Sequence, residues 1–251
     1  MKKPIQIIFS DVDGTLVHYP DLTKVEENKN LLYLPASSTG MRGIISYKTL
    51  ELCSQIREEG KKIVLVSGMR TSTLFSRLPY LPKADAYCSD GGGRIFYRVD
   101  EGDDDDDSNR IYPKNGDLPF HVEEDMKWRS IMEDTNAAGR DGYKSEVKLE
   151  ERQGLLWDYA RSLMERGWIL DTKGYATCFR INRKQQLSTV MEQQNFDDLT
   201  FKIPDGLSSS VNLGCIDIYP KASGKKHWYV FYYIFDNLRE ITNLILHFSI
   251  G

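Results

Sequence analysis

The stretch IQIIFSDVDGTLVHYP, residues 5–20, decides the fold, because an apolar run ends there in two carboxylates separated by one residue. Ile5 to Phe9 is rich in β-branched residues and breaks into an Asp-Gly turn, the pattern of a strand buried on both faces. Asp11 and Asp13 follow at the end of this strand. At about 5 Å and an effective dielectric of about 20, two such charges repel by roughly 3 kcal/mol, so a cation or a proton has to offset them. The pair therefore predicts a site with a chemical role.

The composition favours a folded protein that binds a small molecule. Hydrophobic residues make up 40% of the 251 residues, enough for one large domain or for a core domain with a smaller insert. A formal net charge of −4 does not favour nucleic-acid binding, which depends on clustered basic residues. The 4 cysteines form no Cys-x-x-Cys pair, which is typical of reduced thiols and argues against a zinc ribbon or a disulfide framework.

The apolar segments are too short for a signal peptide or a membrane span. The run at residues 5–9 is shorter than a signal-peptide core, and the aromatic run WYVFYYIF, residues 228–235, falls short of the ~20 residues that cross a bilayer. We therefore expect a cytoplasmic protein with no membrane partner. The aromatic run is assigned to the buried face of a core helix, or to an exposed patch that favours dimerisation.

A strand, a helix and a second strand follow the loop after the first strand. From Ser46 the sequence SYKTLELCSQIREEG has apolar residues at helical spacing, with Ser46 as the N-cap and Gly60 as the stop. Residues 63–66 form a second buried strand, which ends in Ser67 and Gly68. This order predicts a parallel βαβ unit, so the carboxyl ends of both strands meet at the sheet edge where such folds bind ligands.

The rest of the chain predicts a change from a parallel to an antiparallel architecture. A helix over 71–78 is followed by a strand, a glycine-rich turn and a strand in ADAYCSDGGGRIFYRV, residues 84–99. The acidic run at 100–110 is expected to be a solvated loop. The next segments predict a helix-and-antiparallel-sheet insert. They are a long helix over 144–166, two strands in 168–183, a helix over 187–196 and one strand in SSSVNLGCIDIYP, residues 208–220.

One mechanism uses both carboxylates of the first strand end. Asp11, ionised beside Mg²⁺, would attack an electrophilic phosphorus, and Asp13 would protonate the leaving oxygen and later activate water. Gly14 and Thr15 would let a phosphate approach a small side chain, a backbone N–H and a hydroxyl. Val12 to Thr15 also carries the Asp-Gly signal of a β-hairpin, so the stretch alone leaves a purely structural turn open.

Two further elements favour the chemical interpretation. Ser67 and Gly68 end the second strand on the same edge and can donate hydrogen bonds to a phosphoryl group, and Arg70 follows closely. Lys225 opens a predicted helix after a Pro-Lys-Ala-Ser-Gly turn, where a cation opposes the helix dipole and therefore has less structural value. Lys226 is its neighbour, and the pattern does not choose between the two lysines.

These motifs, in this order, resemble the haloacid dehalogenase-like phosphohydrolases. The resemblance rests on DVDGT at 11–15, VSG at 66–68 and PKASGK at 220–225, with a large insert between the second and the third. The insert lies where the Cof-type subgroup carries its C2B α/β cap. CSDGGGRIFY at 88–97 is similar to that subgroup's Glu-Asn-Gly-Ala turn, with Asp-Gly in place of the usual pair.

The resemblance implies an α/β fold, with a Rossmannoid core built on a parallel sheet and an inserted α+β cap of the C2B type. The implied core comprises residues 1–92 and 220–251, and the implied cap residues 93–219. It implies that Mg²⁺ is the cofactor and that the substrate is a small phosphorylated metabolite, above all a sugar phosphate. In the cap, four basic residues could meet this anion, although exposed basic side chains are usually solvated. They are Arg94, Lys173, Arg180 and Arg183.

The resemblance also implies roles for individual residues. Asp11 would be the nucleophile and a magnesium ligand, and Asp13 the acid and base that also binds the metal through its carbonyl. Ser67 would hold the phosphate and Lys225 would stabilise its charge. We expect such a protein to be a monomer or a weak homodimer.

The sequence departs from the family at its last motif. The family has a Gly-Asp followed shortly by another Asp, and these acids complete the magnesium site. Here Thr242-Asn243 leads into a strand, LILHFSI, and the sequence ends at Gly251. We therefore expect a fragment, a splice product or a misassigned gene end, with weaker magnesium binding and low or absent activity. The alternatives are a magnesium-dependent phosphatase, an impaired protein with a binding role, a regulatory role or none, and an unrelated α/β domain.

Overall fold

The computed structural model describes residues 5–21, 29–37, 40–99, 121–134, 148–182, 203–212, 214–224, 233–234 and 244–248. In chain order, the strands and helices are β1 (Ile5–Asp11), β2 (Leu31–Tyr33), β3 (Ile44–Ser46), α1 (Tyr47–Glu58), β4 (Lys62–Val66), α2 (Thr71–Arg77), β5 (Ala86–Ser89), β6 (Arg94–Val99), β7 (His121–Glu124), α3 (Met126–Asp134), α4 (Leu155–Glu165), β8 (Leu170–Asp171), β9 (Phe179–Asn182), β10 (Leu207–Asn212), β11 (Cys215–Pro220) and β12 (Leu244–Phe248). The chain divides into two compact units, residues 1–89, 95–124 and 232–251 in the first and residues 90–94 and 125–231 in the second.

The first unit is built on a six-stranded sheet in the order β12-β1-β4-β5-β6-β7. β1 pairs in parallel with β12 and with β4, and β4 pairs in parallel with β5. The register places Asp11 opposite Val66, so β1 and β4 end side by side. The predicted βαβ unit is confirmed. Its buried strand residues form a core with the inner faces of α1 and α2.

Local signals explain where α1 begins and ends. The Ser46 side chain accepts a hydrogen bond from the Thr49 N–H at 3.0 Å, which satisfies one of the unpaired N–H groups of the first turn. Gly60 follows the last turn at a φ of +79°, a conformation that glycine adopts without strain. Both positions agree with the sequence prediction.

The second unit is an α+β arrangement with a four-stranded antiparallel sheet in the order β10-β11-β9-β8. The buried face of α4 contributes Leu156, Ala160 and Leu163 to a core that includes Phe179 and Ile216 on the sheet. The predicted fold class, a parallel α/β sheet with an additional α+β region, is confirmed.

Two predicted elements of the second unit are wrong. The helix expected over 144–166 exists among the described residues only as α4, because Gly154 has a φ of +113° that a right-handed helix cannot contain. The segment 208–220 forms two strands instead of one, since β10 and β11 pair antiparallel. The helix expected over 187–196 and the acidic loop lie outside the described residues.

The boundaries between the units differ from the predicted ones at 92/93 and 219/220. β6 and β7 extend the sheet of the first unit, so most of the chain up to residue 124 stays with it. The short segment 90–94 belongs instead with the second unit. Of the aromatic run at 228–235, only residues 233–234 are described, and they are helical. Across the described ranges, no helix has the length and apolar character that a bilayer crossing requires.

Candidate active site

The carboxyl ends of β1 and β4 bring the predicted residues of both strands to one edge of the sheet. Asp11 is the last residue of β1, and Ser67 follows directly after β4. One oxygen of the Asp11 side chain accepts a hydrogen bond from the Val12 N–H at 2.7 Å. Ser67 is completely buried, and its N–H donates to the Cys88 carbonyl at 3.0 Å, which ties the end of β4 to the end of β5.

The Asp-Gly turn after β1 is not a β-hairpin. The Val12 carbonyl accepts hydrogen bonds from the N–H groups of Leu16 at 3.0 Å and Val17 at 2.9 Å, so the chain coils tightly over these residues. The segment then pairs away from β1, since His18 and Ile44 exchange two hydrogen bonds of 2.9 Å. The hairpin alternative is therefore wrong for this stretch.

Gly14 meets a backbone requirement at the tip of this coil. Its φ of +82° is strained for residues with a side chain, and its N–H donates to the Val17 carbonyl at 2.8 Å. Gly14 and Thr15 are exposed, so both are open to a ligand from solvent.

Asp13 is held by two hydroxyl groups that come from different elements. Ser67 Oγ donates to Asp13 Oδ2 at 2.9 Å, and the Tyr19 hydroxyl donates to Asp13 Oδ1. Ser67 Oγ also accepts a hydrogen bond from the Met69 N–H at 3.1 Å, which fixes the orientation of the serine. The structure thus brings Asp13 and Ser67 into direct contact, as expected for residues of one site.

Tyr19 and Arg77 are parts of this constellation that the sequence analysis missed. Arg77 Nη1 donates to the Tyr19 hydroxyl at 2.7 Å and lies 3.6 Å from Asp13 Oδ1. Arg77 is only 1% exposed although it carries a charge. Burial, followed by the hydrogen bond to Asp13 and the charge of Asp13, raises the pKa of Tyr19 to about 12, with Arg77 acting in the opposite direction. The phenol therefore stays protonated at neutral pH and acts as a donor toward the carboxylate.

The remaining predicted residues are placed in different ways. Gly68 lies in a buried bend, and Arg70, 9% exposed, precedes α2, where its carbonyl accepts the Leu74 N–H at 2.9 Å. Lys225 and Lys226 lie outside the described residues, so their assignment stays a prediction.

The donor chemistry at the end of β1 fits Mg²⁺. Carboxylate and carbonyl oxygens are the ligands this hard cation takes, and it commonly uses only one or two protein carboxylates together with substrate phosphate and water. Asp11 and Asp13 supply such oxygens. The described part of the chain has no cluster of three or more His, Cys, Asp or Glu side chains that could hold a metal ion.

A second buried aspartate lies in the second unit, at the Asp-Gly position after β5. Asp90 has a φ of 52° and is 1% exposed. Its Oδ2 accepts hydrogen bonds from the N–H groups of Ala176 at 2.8 Å and Thr177 at 3.2 Å. Burial raises the pKa of Asp90, while these N–H groups and the charge of Arg94 act against this. The contacts make the segment 90–94 an integral part of the second unit.

Arg180, one of the cap cations considered for an anionic substrate, is held by a carboxylate. Its Nε and Nη2 donate to Asp217 Oδ1 at 2.6 Å and to Asp217 Oδ2 at 2.9 Å. This bidentate pair joins the neighbouring strands β9 and β11.

The fold is that of the haloacid dehalogenase-like proteins, as the resemblance implied. The sucrose-phosphatase of Synechocystis sp. PCC6803, solved in complex with sucrose and phosphate, is similar with a TM-score of 0.51 at 10% sequence identity, over 98% of this chain and 76% of that one. The C-terminal domain of a trehalose-6-phosphate phosphatase from C. albicans gives a TM-score of 0.40 at 12% identity, over 88% of this chain and 59% of that one. A haloacid dehalogenase-like hydrolase protein from Bacillus subtilis gives 0.41 at 17% identity, over 96% and 73%. No protein-family model matches the sequence, and no curated protein matches it significantly.

Proposed function

We propose that the chain carries the site of a magnesium-dependent phosphatase that acts on a small phosphorylated metabolite. The observation that supports this most directly is the arrangement at the carboxyl ends of β1 and β4. Asp11 ends one strand, and Asp13 is hydrogen-bonded at 2.9 Å to Ser67, which follows the other. In an open α/β sheet this edge is where ligands bind.

The proposed reaction has two displacements at phosphorus. In the first, an Asp11 carboxylate oxygen forms a bond to phosphorus, the bond from phosphorus to the substrate oxygen breaks, and Asp13 gives its proton to that leaving oxygen. In the second, Asp13 takes a proton from a water molecule, whose oxygen displaces Asp11 from phosphorus and releases inorganic phosphate. Asp11 and Asp13 regain their starting states, so the cycle balances.

The other residues act on binding and charge. Gly68 and the exposed turn at Gly14 and Thr15 are proposed to offer hydroxyl and N–H donors to the phosphoryl oxygens. Ser67 has a single hydroxyl proton, which here goes to Asp13, and it is proposed to bind the phosphate by turning this proton to a phosphoryl oxygen. Mg²⁺, held by Asp11 and by the carbonyl of Asp13, would supply charge neutralisation between the carboxylate and the phosphate. Lys225 and Arg70 are proposed to add positive charge.

The proposed substrate class is the sugar phosphates. Asp11 and Asp13 act on the phosphate ester and not on the alcohol part of the substrate. The alcohol therefore has to be identified by experiment. The sucrose-phosphatase that shares the fold was solved with sucrose and phosphate. Sugar phosphates are therefore the first members of a metabolite panel to test.

The alternative is a catalytically impaired protein that binds phosphorylated ligands. It rests on the same site, because the exposed turn at Gly14 and Thr15 and the pair of Asp13 and Ser67 could bind a phosphate without turnover. The two functions differ in turnover, because an impaired protein would bind phosphate or its esters without releasing product.

The deciding experiment is phosphate release from an aryl phosphate with and without Mg²⁺. Wild type is compared with Asp11→Asn and with Asp205→Asn, a control whose aspartate side chain is 97% exposed. We expect magnesium-dependent release in wild type and in the control, and its loss in Asp11→Asn. Equal background rates in all three proteins would overturn the phosphatase and leave the impaired alternative, which isothermal titration with phosphate would then examine.

A further inference from the structure

We propose that Tyr19 is a positioning residue, which orients the Asp13 carboxylate for proton transfer, and that Arg77 holds Tyr19 in place. The inference rests on the proposed function for its catalytic meaning. It goes beyond that function, since neither residue belongs to the motifs that identify the site.

The two oxygens of Asp13 are fixed independently. The Tyr19 hydroxyl donates to Oδ1, and Ser67 Oγ donates to Oδ2 at 2.9 Å. Tyr19 comes from the segment after the coil, whereas Ser67 comes from the end of β4. Rotating the carboxylate would break both bonds at once, so two separate elements together determine the plane of the group. An acid and base that transfers protons needs such a fixed direction.

Arg77 is built into the fold in a way that leaves it little freedom. Besides donating to Tyr19 at 2.7 Å, it donates from Nη2 to the Met41 carbonyl at 3.2 Å and from Nε to the Pro35 carbonyl at 3.4 Å. Its guanidinium also lies 5.7 Å from the centre of the Tyr19 ring, within the range of a cation–π contact. Arg77 thus contacts both the ring and the hydroxyl of Tyr19.

The phenol stands between the guanidinium and the carboxylate. Arg77 Nη1 forms an ion pair with Asp13 Oδ1 at 3.6 Å, a distance longer than a hydrogen bond, while the Tyr19 hydroxyl is hydrogen-bonded to both groups. A guanidinium has only donors, so a direct hydrogen bond from Arg77 would compete with the phenol for Asp13 Oδ1. Arg77 fixes the position of the Tyr19 hydroxyl, and this hydroxyl is the neutral group that donates a hydrogen bond to Asp13.

The test compares Tyr19→Phe, which removes only the hydroxyl, with Tyr33→Phe, at a residue that is 42% exposed. Steady-state kinetics on an aryl phosphate with Mg²⁺ should show kcat lowered by roughly 10-fold to 100-fold in Tyr19→Phe, with KM within about twofold of wild type. Tyr33→Phe should match wild type in both. Arg77→Lys should lower kcat less than Arg77→Met, because only the lysine can still donate to the phenol.

A structural readout keeps the inference testable if Arg77 variants do not fold or if wild type shows no turnover. Crystal structures of wild type and Tyr19→Phe should show the Asp13 carboxylate rotated in the variant, with the bond from Ser67 lost or lengthened. A carboxylate that keeps its orientation without the hydroxyl would overturn the inference, whatever the kinetics. Wild type without magnesium-dependent turnover would overturn the proposed function alone, and the carboxylate orientation would still decide the positioning.

Discussion

Asp85 and Asp13 lie at opposite ends of the parallel strands of the first unit, and their surroundings differ in kind. Asp85 precedes β5 and faces basic groups directly. It accepts hydrogen bonds from Lys62 Nζ at 3.0 Å and from the Ile63 N–H at 2.9 Å, and it pairs with Arg57 at 3.4 Å. The Asp85 carboxylate therefore links α1 and β4 to the start of β5, which is a structural role.

Asp13 follows β1, and two hydroxyl groups donate hydrogen bonds to it. Ser67 and Tyr19 bind its two oxygens, while Arg77 lies 3.6 Å from Oδ1, an ion-pair distance longer than a hydrogen bond, and donates its own hydrogen bond to the Tyr19 hydroxyl. A hydroxyl can donate or accept, so Ser67 can remain a partner of Asp13 whether or not the acid carries a proton. The difference teaches that two carboxylates of similar burial can have different hydrogen-bond partners, basic groups and a backbone N–H at Asp85 and hydroxyl groups at Asp13, which is the partner type that the proposed proton transfer needs.

The largest expected effect is on turnover, from Asp13→Asn. An amide cannot give a proton to the leaving oxygen, so we expect kcat to fall by about 100-fold or more. One of the two hydroxyl groups of Ser67 and Tyr19 can donate to the amide oxygen and the other can accept from the amide NH2, so the fold should persist. Steady-state kinetics with a parallel urea titration measure both quantities. An unchanged kcat would place Asp13 beside Asp85 as a structural residue and break the comparison.

The matched substitution at the other end of the strands, Asp85→Asn, should act on stability. It removes the charge that faces Arg57 and Lys62, and we expect the free energy of unfolding to fall by about 2 kcal/mol. The turnover per folded molecule should equal that of wild type. Urea titration and kinetics on the same preparations check this, and a loss of kcat without a loss of stability would contradict it.

The stability contributed by Asp85 should disappear in acid. Burial alone would raise the pKa of Asp85, but the charge of Arg57, the Ile63 N–H and Lys62 outweigh burial and lower it. A carboxyl group with a lower pKa in the folded state stabilises the fold above its unfolded pKa, and this contribution is lost as the pH falls through the folded value.

The difference in unfolding free energy between wild type and Asp85→Asn should therefore stay constant near neutral pH and shrink below about pH 4. Urea titrations of both proteins across this range measure the difference. A difference that widens toward acid would show that Asp85 is not the carboxylate that the basic groups stabilise.

The smallest expected effect sharpens the comparison, through Lys62→Gln. Its side chain is 30% exposed, so losing one of the two cations that face Asp85 should cost about 0.5 kcal/mol, with turnover unchanged. Lys48→Gln, which removes an exposed pair with Glu51, serves as the control and should change the free energy of unfolding less. Equal effects of both substitutions would mean that Asp85 is held by Arg57 and the backbone alone.

Local signals made most of the first unit predictable. The apolar runs of β1 and β4, the N-cap at Ser46 and the glycine after α1 each act over a few residues, so a single sequence reveals them. Gly154 was also visible, but the apolar spacing on both sides of it suggested one continuous helix. The positive φ of Gly154 outweighs that periodicity, and α4 begins only after it.

The candidate site was predictable only in part, for the same physical reason. Asp11, Asp13 and Ser67 stand at strand ends, so their common edge followed from the parallel topology. The hydrogen bond between Tyr19 and Arg77 joins residues 58 positions apart, so no local sequence pattern predicts it. An arginine in a short helix is usually solvated, and the burial of Arg77 comes from contacts with residues far away in the sequence, Tyr19, Pro35 and Met41. The catalytic roles themselves stay predictions.

The pairing of β1 with β12 has a consequence for how the protein is made. Ile5 lies opposite Leu244, so two strands from distant parts of the chain are direct neighbours. During synthesis, one edge of β1 has to wait for β12 to leave the ribosome, and until then its N–H and C=O groups are open to pairing with other chains. We expect proteases to cleave β1 until β12 has emerged and paired with it. Limited proteolysis of ribosome-bound chains of increasing length would reveal this, and early protection would contradict it.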